Sequence, residues 1–248
     1  MIIPTFLSFM LFGLLVELPA AVATGDEAFS RIEYSAAISF YETALTSMPD
    51  NPEILWRLAR VYVCLGEVEE GPQGVEFLRK AEMYGRRCLQ GDSTNAVAHT
   101  WLAGALGYLA LNANAGEQVR LSHELLEHVD RALALDPKND AAYSIKGSFY
   151  RALGNVGWLE RRLATLFVGS IPDGGYEEAE AALLHAITLA PDVMRHRYEL
   201  GVLYIDWGRK EEALQALRKA ATLPVRVAID RPRLEKIHAL LSEIEASP

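Results

Sequence analysis

The sequence predicts an all-α, right-handed helical-hairpin solenoid of about four and a half hairpins, with enlarged repeats and a C-terminal capping helix. Three observations predict it. The first is a recurring motif: a small or apolar residue, a bulky apolar one four further on, a small one three beyond, then a turn residue. It reads Ala37, Tyr41, Ala44, Pro49; more loosely Ala81, Gly85, Cys88, Ser93; then Leu125, Val129, Ala132, Pro137; Ala179, Leu183, Ala186, Pro191; and Ala213, Leu217, Ala220, Pro224. The second is the spacing of the motif ends, 44, 44, 54 and 33 residues apart, a period near 34 stretched by insertions. Such periods mark helical-hairpin arrays, in which each repeat buries its apolar face only by stacking on the next. The third is composition. Helix formers dominate, and nothing beyond the N-terminus alternates as a strand.

Residues 1–23 differ from the rest. Ile2 to Val16 is apolar, Glu17 closes the run, and Ala21-Val22-Ala23 has the small-x-small form cut by signal peptidase. The expectation is an export signal, with a mature protein in the periplasm or secreted, starting at Thr24. The alternative is an uncleaved membrane anchor, since no Lys or Arg precedes the apolar run. Residues 24–248 then form one solenoid domain. Net charge is −9, or −8 (24 basic against 32 acidic) without Glu17. That balance argues against nucleic acid as a partner and against an anionic membrane surface, so a membrane enters only if the first segment is retained.

The second helix of the first hairpin runs from Tyr34 to Met48, leaving Thr24 to Glu33 as a stub before it. Asp50-Asn51-Pro52, Lys138-Asn139-Asp140 and Pro191-Asp192 are turns that end one hairpin and cap the next helix. First helices carry a small-residue step: Leu58-Ala59, Ala103-Gly104, Lys146-Gly147 and Leu200-Gly201. The small residue lets helices cross closely, and the later glycines Gly66, Gly154 and Gly208 are expected to end helices in left-handed caps. Glu67 to Val75, Leu111 to Gly116 and Asn155 to Gly175 insert between the helices of a hairpin. The last carries Trp158, Leu159, Leu163, Leu166 and Phe167 at helical spacing, an extra amphipathic helix. Lys236 to Ala246, apolar at Ile237, Leu240, Leu241 and Ile244, is the capping helix. Cys64 and Cys88 fall near the ends of antiparallel helices, too far apart for a disulfide, and are expected as small buried apolar residues.

The hairpin pattern resembles the tetratricopeptide repeat. More specifically, Pro52–Arg60 (PEILWRLAR), His99-Thr100-Trp101, His128–Leu133 (HVDRAL), Gly157–Ala164 (GWLERRLA) and Tyr198-Glu199-Leu200-Gly201 resemble the regulator of microtubule dynamics family and its bacterial relatives over about residues 34–245. The resemblance implies a tetratricopeptide domain without enzymatic activity. Some eukaryotic members associate with microtubules, and one tethers organelles and binds phospholipid. The export-like N-terminus departs from that family, which keeps the microtubule role from being carried over.

No catalytic constellation, cofactor site or metal site is evident. His123-Glu124-Leu125-Leu126-Glu127-His128 resembles a zinc-protease helix, but histidines five apart point about 140° from each other. A Glu124–His128 pair is the expected outcome. Tetratricopeptide register instead gives inner-face positions, among them Glu53, Cys64, Arg195 and Asp206. Of these, Trp56, Arg60, Trp101, Tyr108, Arg151 and Tyr198 are the candidate partner-binding residues, because aromatics interleaved with arginines suit a peptide or amphipathic anion. Two functions follow: a scaffold gripping a protein or peptide partner in or around the groove, or a carrier of lipid or a small amphiphile.

Overall fold

The structure, a computed structural model, describes residues 18–157 and 169–246. Those residues form eleven α-helices and no strand: α1 (Ala20–Ser30), α2 (Tyr34–Ser47), α3 (Pro52–Val68), α4 (Gly71–Gly91), α5 (Ala96–Ala110), α6 (Ala115–Leu135), α7 (Asp140–Gly154), α8 (Tyr176–Leu189), α9 (Met194–Asp206), α10 (Lys210–Ala221) and α11 (Asp230–Ala246). Helices pair as hairpins α1–α2, α3–α4, α5–α6, α7–α8 and α9–α10. The first helices also touch in series, α3 with α5, α5 with α7 and α7 with α9, forming the inner layer. The chain is a helical-hairpin solenoid with five hairpins and a cap among its described residues.

The extra half hairpin comes from α1. It begins at Ala20, upstream of the expected stub, and crosses the expected cleavage point after Ala23. Val22 and Ala28 are buried in the first core cluster, with Leu18 and Ala21 packed against it. Gly25 lies where a Cβ would stand 2.5 Å from the Tyr41 ring, so α1 and α2 meet at van der Waals distance.

Each predicted motif lands in the seam of its hairpin. Ala37, Tyr41 and Ala44, then Ala81, Gly85 and Cys88, then Leu125, Val129 and Ala132, are buried, as are the equivalents in α8 and α10. Side-chain oxygens of Asn51, Asn95, Asn114 and Asn139 accept from backbone N–H groups in the first turns of α3, α5, α6 and α7 at 2.9–3.1 Å. Asp192 does not cap α9; its carboxylate accepts from Arg226 instead.

The first two insertions are absorbed by helix extension, giving a 17-residue α3 and 21-residue α4 and α6. The expected helix over Trp158–Phe167 lies outside the described residues. Of the three glycines expected as left-handed caps, only Gly208 has positive φ, at 75°. Gly66 and Gly154 sit inside or at the end of their helices and serve close approach. A Cβ on Gly154 would lie 2.4 Å from the Tyr176 ring. Cys64 and Cys88 are both buried thiols, as their apolar surroundings predicted.

Candidate functional site

The inner helices bring charged and aromatic side chains together on the concave side, in three groups. The first centres on Glu67, near the end of α3. Its carboxylate accepts from the Tyr108 hydroxyl at 2.6 Å and from Arg233 at 2.8 Å, and Arg195 stands 3.9 Å away. Burial pushes the Tyr108 phenol well above its usual range, and the Glu67 carboxylate adds to the effect against opposition from Arg195. Burial opposes charge on Arg195, but Tyr108, Glu67 and Glu199 outweigh it, so its guanidinium is held charged.

The second group lies between α7 and α9. Arg151 donates to Asp206 at 2.8 Å and faces Glu199 at 3.6 Å, while Asn155 donates to the same Asp206 oxygen at 2.9 Å. Tyr176 closes the group by donating to Asn155. The third group joins α1 to α3. Asp26 accepts from the Tyr41 hydroxyl at 2.7 Å, from Arg57 at 3.0 Å and from Arg60 at 3.3 Å. Arg60 lies 3.8 Å over the Phe29 ring and 5.1 Å from Trp56, whose indole donates to Glu53 at 3.0 Å.

The six residues singled out from register divide accordingly. Tyr108, Arg151 and Tyr198 belong to the first two groups, with the Arg233 guanidinium 5.7 Å from the Tyr198 ring. Trp56 and Arg60 belong to the third. Trp101 stands apart, half-buried against the first core cluster. Register reasoning missed Asp26, Glu67 and Arg233. Glu67 lies three residues beyond Cys64, an inner-face position, so extending the register by one turn would have found it. Asp26 and Arg233 carry no such signal, since both sit outside the recognised hairpins.

Within these groups the side-chain Nε of Arg60, Arg151 and Arg195 and one oxygen of Glu199 are buried and make no hydrogen bond among the described residues.

The histidines of the zinc-protease-like helix have other partners. His123 contacts the Ser170 carbonyl at 2.7 Å, and His128 Nε2 lies 3.9 Å from Glu124, the expected pair. The His128 Nδ1 meets His99 Nδ1 at 2.8 Å beneath a cleft of about 520 Å³ lined by Ser93, Glu127, Asp130 and Arg131.

A stacked-hairpin solenoid with small residues in each seam and a charged, aromatic inner face is a protein of the tetratricopeptide class. The family model described as regulator of microtubule dynamics protein 1-3 matches residues 21–245. The chain therefore belongs to that family. Regulator of microtubule dynamics protein 3 of Xenopus laevis is 29% identical over 194 residues, 77% of this chain and 42% of that protein. The human regulator of microtubule dynamics protein 2 is 24% identical, covering 79% of this chain and 48% of its own length. This chain thus spans less than half of those relatives, but 98% of the Caenorhabditis elegans protein 1, at 23% identity over 89% of this chain. Among solved structures, a thermophilic TPR protein of Thermus thermophilus superposes with TM-score 0.66 at 22% identity, covering 92% of this chain and 98% of that one. The type IV pilus biogenesis factor PilW gives 0.55 at 21% identity, covering 91% and 89%. At that identity these likenesses establish the fold.

Proposed function

We propose that the chain is a non-enzymatic scaffold that holds a protein or peptide partner in or around its inner face. The observation that carries this is the row of half-buried aromatic and arginine side chains, Trp56, Arg60, Arg151 and Tyr198, on inner helices that touch in series. An extended segment would lay its apolar side on the aromatics and present carboxylates or backbone carbonyls to the outer edges of the arginines. The fold supports the same reading, because stacked hairpins create extended concave surfaces. Ion pairs among the described inner-face residues weigh against an acyl chain there. The microtubule role in the relatives' names belongs to those proteins.

The address proposed is outside the cytoplasm, on the strength of the apolar run and the small residues that follow it. No helix among the described residues is long and apolar enough to cross a membrane. Burial of Val22 favours a form that keeps α1 whole over one cut after Ala23, which would remove its first turn.

The test compares wild type with an Arg60→Lys/Arg151→Lys variant as bait in extracts of the native organism. Lysine keeps the charge facing Asp26 and Asp206 but lacks the Nε–H and the planar fork. The expected result is an unchanged circular dichroism spectrum and the loss of at least one protein held by wild type. Identical captures would sink the inner-face reading. A variant that unfolds would mark those arginines as internal struts.

A further inference from the structure

The segment between α10 and the first turn of α11 does something a capping helix does not require. A cap covers the last hairpin with apolar side chains, and the rear of α11 does so through Ile237 against Met194, Leu217 and Ala220. Its front buries charge instead. Asp230 and Arg233 are 3% and 4% exposed. The segment's long-range partners lie in the first two hairpins. Arg233 donates to Glu67 of α3 at 2.8 Å, across 166 positions of sequence, and the backbone N–H of Ala228 donates to the Tyr34 hydroxyl of α2 at 3.0 Å, across 194. Asp230 orders the segment by accepting from Arg233 at 2.5 Å and from the backbone N–H groups of Arg226 and Val227 at 2.9 and 3.1 Å. Arg226 adds an exposed ion pair to Asp192.

We propose that residues 224–233 are a clasp that closes the concave side in cis, occupying Glu67 and Tyr34, and that its opening admits the partner. The second half rests on the scaffold reading above; the clasp itself does not. Four features favour a clasp over a fixed strut. The segment has no regular helix between Ala221 and Asp230, so it can swing without unwinding a repeat. Its contacts to the first two hairpins are two hydrogen bonds and the small Ala228 side chain against the first core cluster, and a buried ion pair contributes specificity more than stability. Glu67 keeps Tyr108 as a donor and Arg195 nearby when Arg233 leaves, so opening strands no carboxylate. Finally, α11 stays attached through its apolar rear face on α10.

A native reporter sits beside the two groups the clasp engages. Cys64 lies beside the Tyr34 hydroxyl, and burial pushes its thiol up to about 12, with the Glu67 charge adding to the shift. In the closed form it is neutral, covered and unreactive. Cys88 is fully buried elsewhere, donating to the Pro52 carbonyl at 3.3 Å, and serves as the control.

The experiment measures N-ethylmaleimide modification of both cysteines by peptide mass spectrometry in wild type, Arg233→Gln and Arg226→Gln, and repeats the partner capture with each. Arg226→Gln cuts only the exposed pair and provides a folded variant if Arg233→Gln is unstable. Expected are a rise of about tenfold or more in the Cys64 rate for Arg233→Gln and about two- to fivefold for Arg226→Gln, with Cys88 unchanged. Partner capture should rise in the same order. An unchanged Cys64 rate in folded variants would overturn the clasp, as would Cys64 and Cys88 rising together, which signals unfolding of the array. A faster Cys64 with unchanged capture overturns the gate and leaves the scaffold standing. Capture of nothing by any form, with Cys64 exposed, removes the scaffold reading and the gate with it.

Discussion

The same substitution, glycine to alanine inside a first helix, should change stability in opposite directions at two equivalent steps of the array. Gly104 in α5 and Gly147 in α7 both follow the small-step rule of the sequence. A Cβ on Gly104 would meet Ile145 at 3.6 Å and Val63 at 3.8 Å, ordinary contact distances. A Cβ on Gly147 would meet Leu183 at 2.5 and 2.8 Å and the Ala179 carbonyl at 3.2 Å. Leu183 is fully buried and the Ala179 oxygen is backbone, so neither moves freely. Alanine gains about 1 kcal/mol over glycine in a helix interior at either site. At Gly147 that gain is opposed by overpacking of roughly 1–3 kcal/mol. Gly104→Ala should therefore stabilise by about 0.5–1 kcal/mol, and Gly147→Ala should destabilise by about 1. The two melting temperatures should differ by about 3–8 °C for a chain of this size. Circular dichroism melts under identical conditions read this directly. If both variants shift the same way, helix propensity governs these seams and close approach does not explain the small residues.

Ala132, fully buried in its seam, should lose roughly 1–3 kcal/mol on Ala132→Leu, read as a lower urea midpoint. Asp26→Ala leaves Arg57 and Arg60 without their shared carboxylate. Because Asp26 is 38% exposed, the loss should be only about 1–2 kcal/mol, measured by the same titration. Acid should weaken the fold through the His99–His128 pair. Burial lowers both, His99 adds to the effect on His128, Arg131 and Arg86 reinforce it, and Glu124, Glu127 and Asp92 oppose it. A depressed histidine disfavours the charged form when folded. Its stabilisation is complete above the ordinary value near 6.5 and is lost as pH falls below it toward the folded values. Urea midpoints between pH 8 and 5 should fall, and His99→Asn should flatten that fall. Mass spectrometry of the native protein should find an N-terminus that leaves Ala20 to Ala23 attached; a mass starting at Thr24 would show that α1 tolerates loss of its first turn.

The chain's own pattern determined the helical hairpins, the seam residues and most helix boundaries. Small residues at four- and three-residue spacing fix which face meets a neighbour, and the asparagines before α3, α5 and α7 fix where those inner helices start. Both are local rules, so they are legible in one dimension. The candidate site was legible only in part. Register located Trp56, Arg60, Tyr108, Arg151 and Tyr198 because inner-face positions recur with the repeat. It gave no account of what those side chains would meet, and Trp101 proved half-buried against the core. Whether an inner-face arginine has a partner depends on groups many residues away, as with Arg60 and Asp26, 34 positions apart. The long α4 and α6 were equally hidden, because an insertion that continues a helix and one that forms a loop differ little in composition. Only the tertiary structure decided that α1 crosses Ala23, since burial of Val22 depends on the packed α1–α2 hairpin. Only it brought Arg233 to Glu67. Solenoid curvature accumulates from small rotations at each seam, so the meeting of the first hairpins with the last segment is a sum over the whole array, which no local pattern encodes.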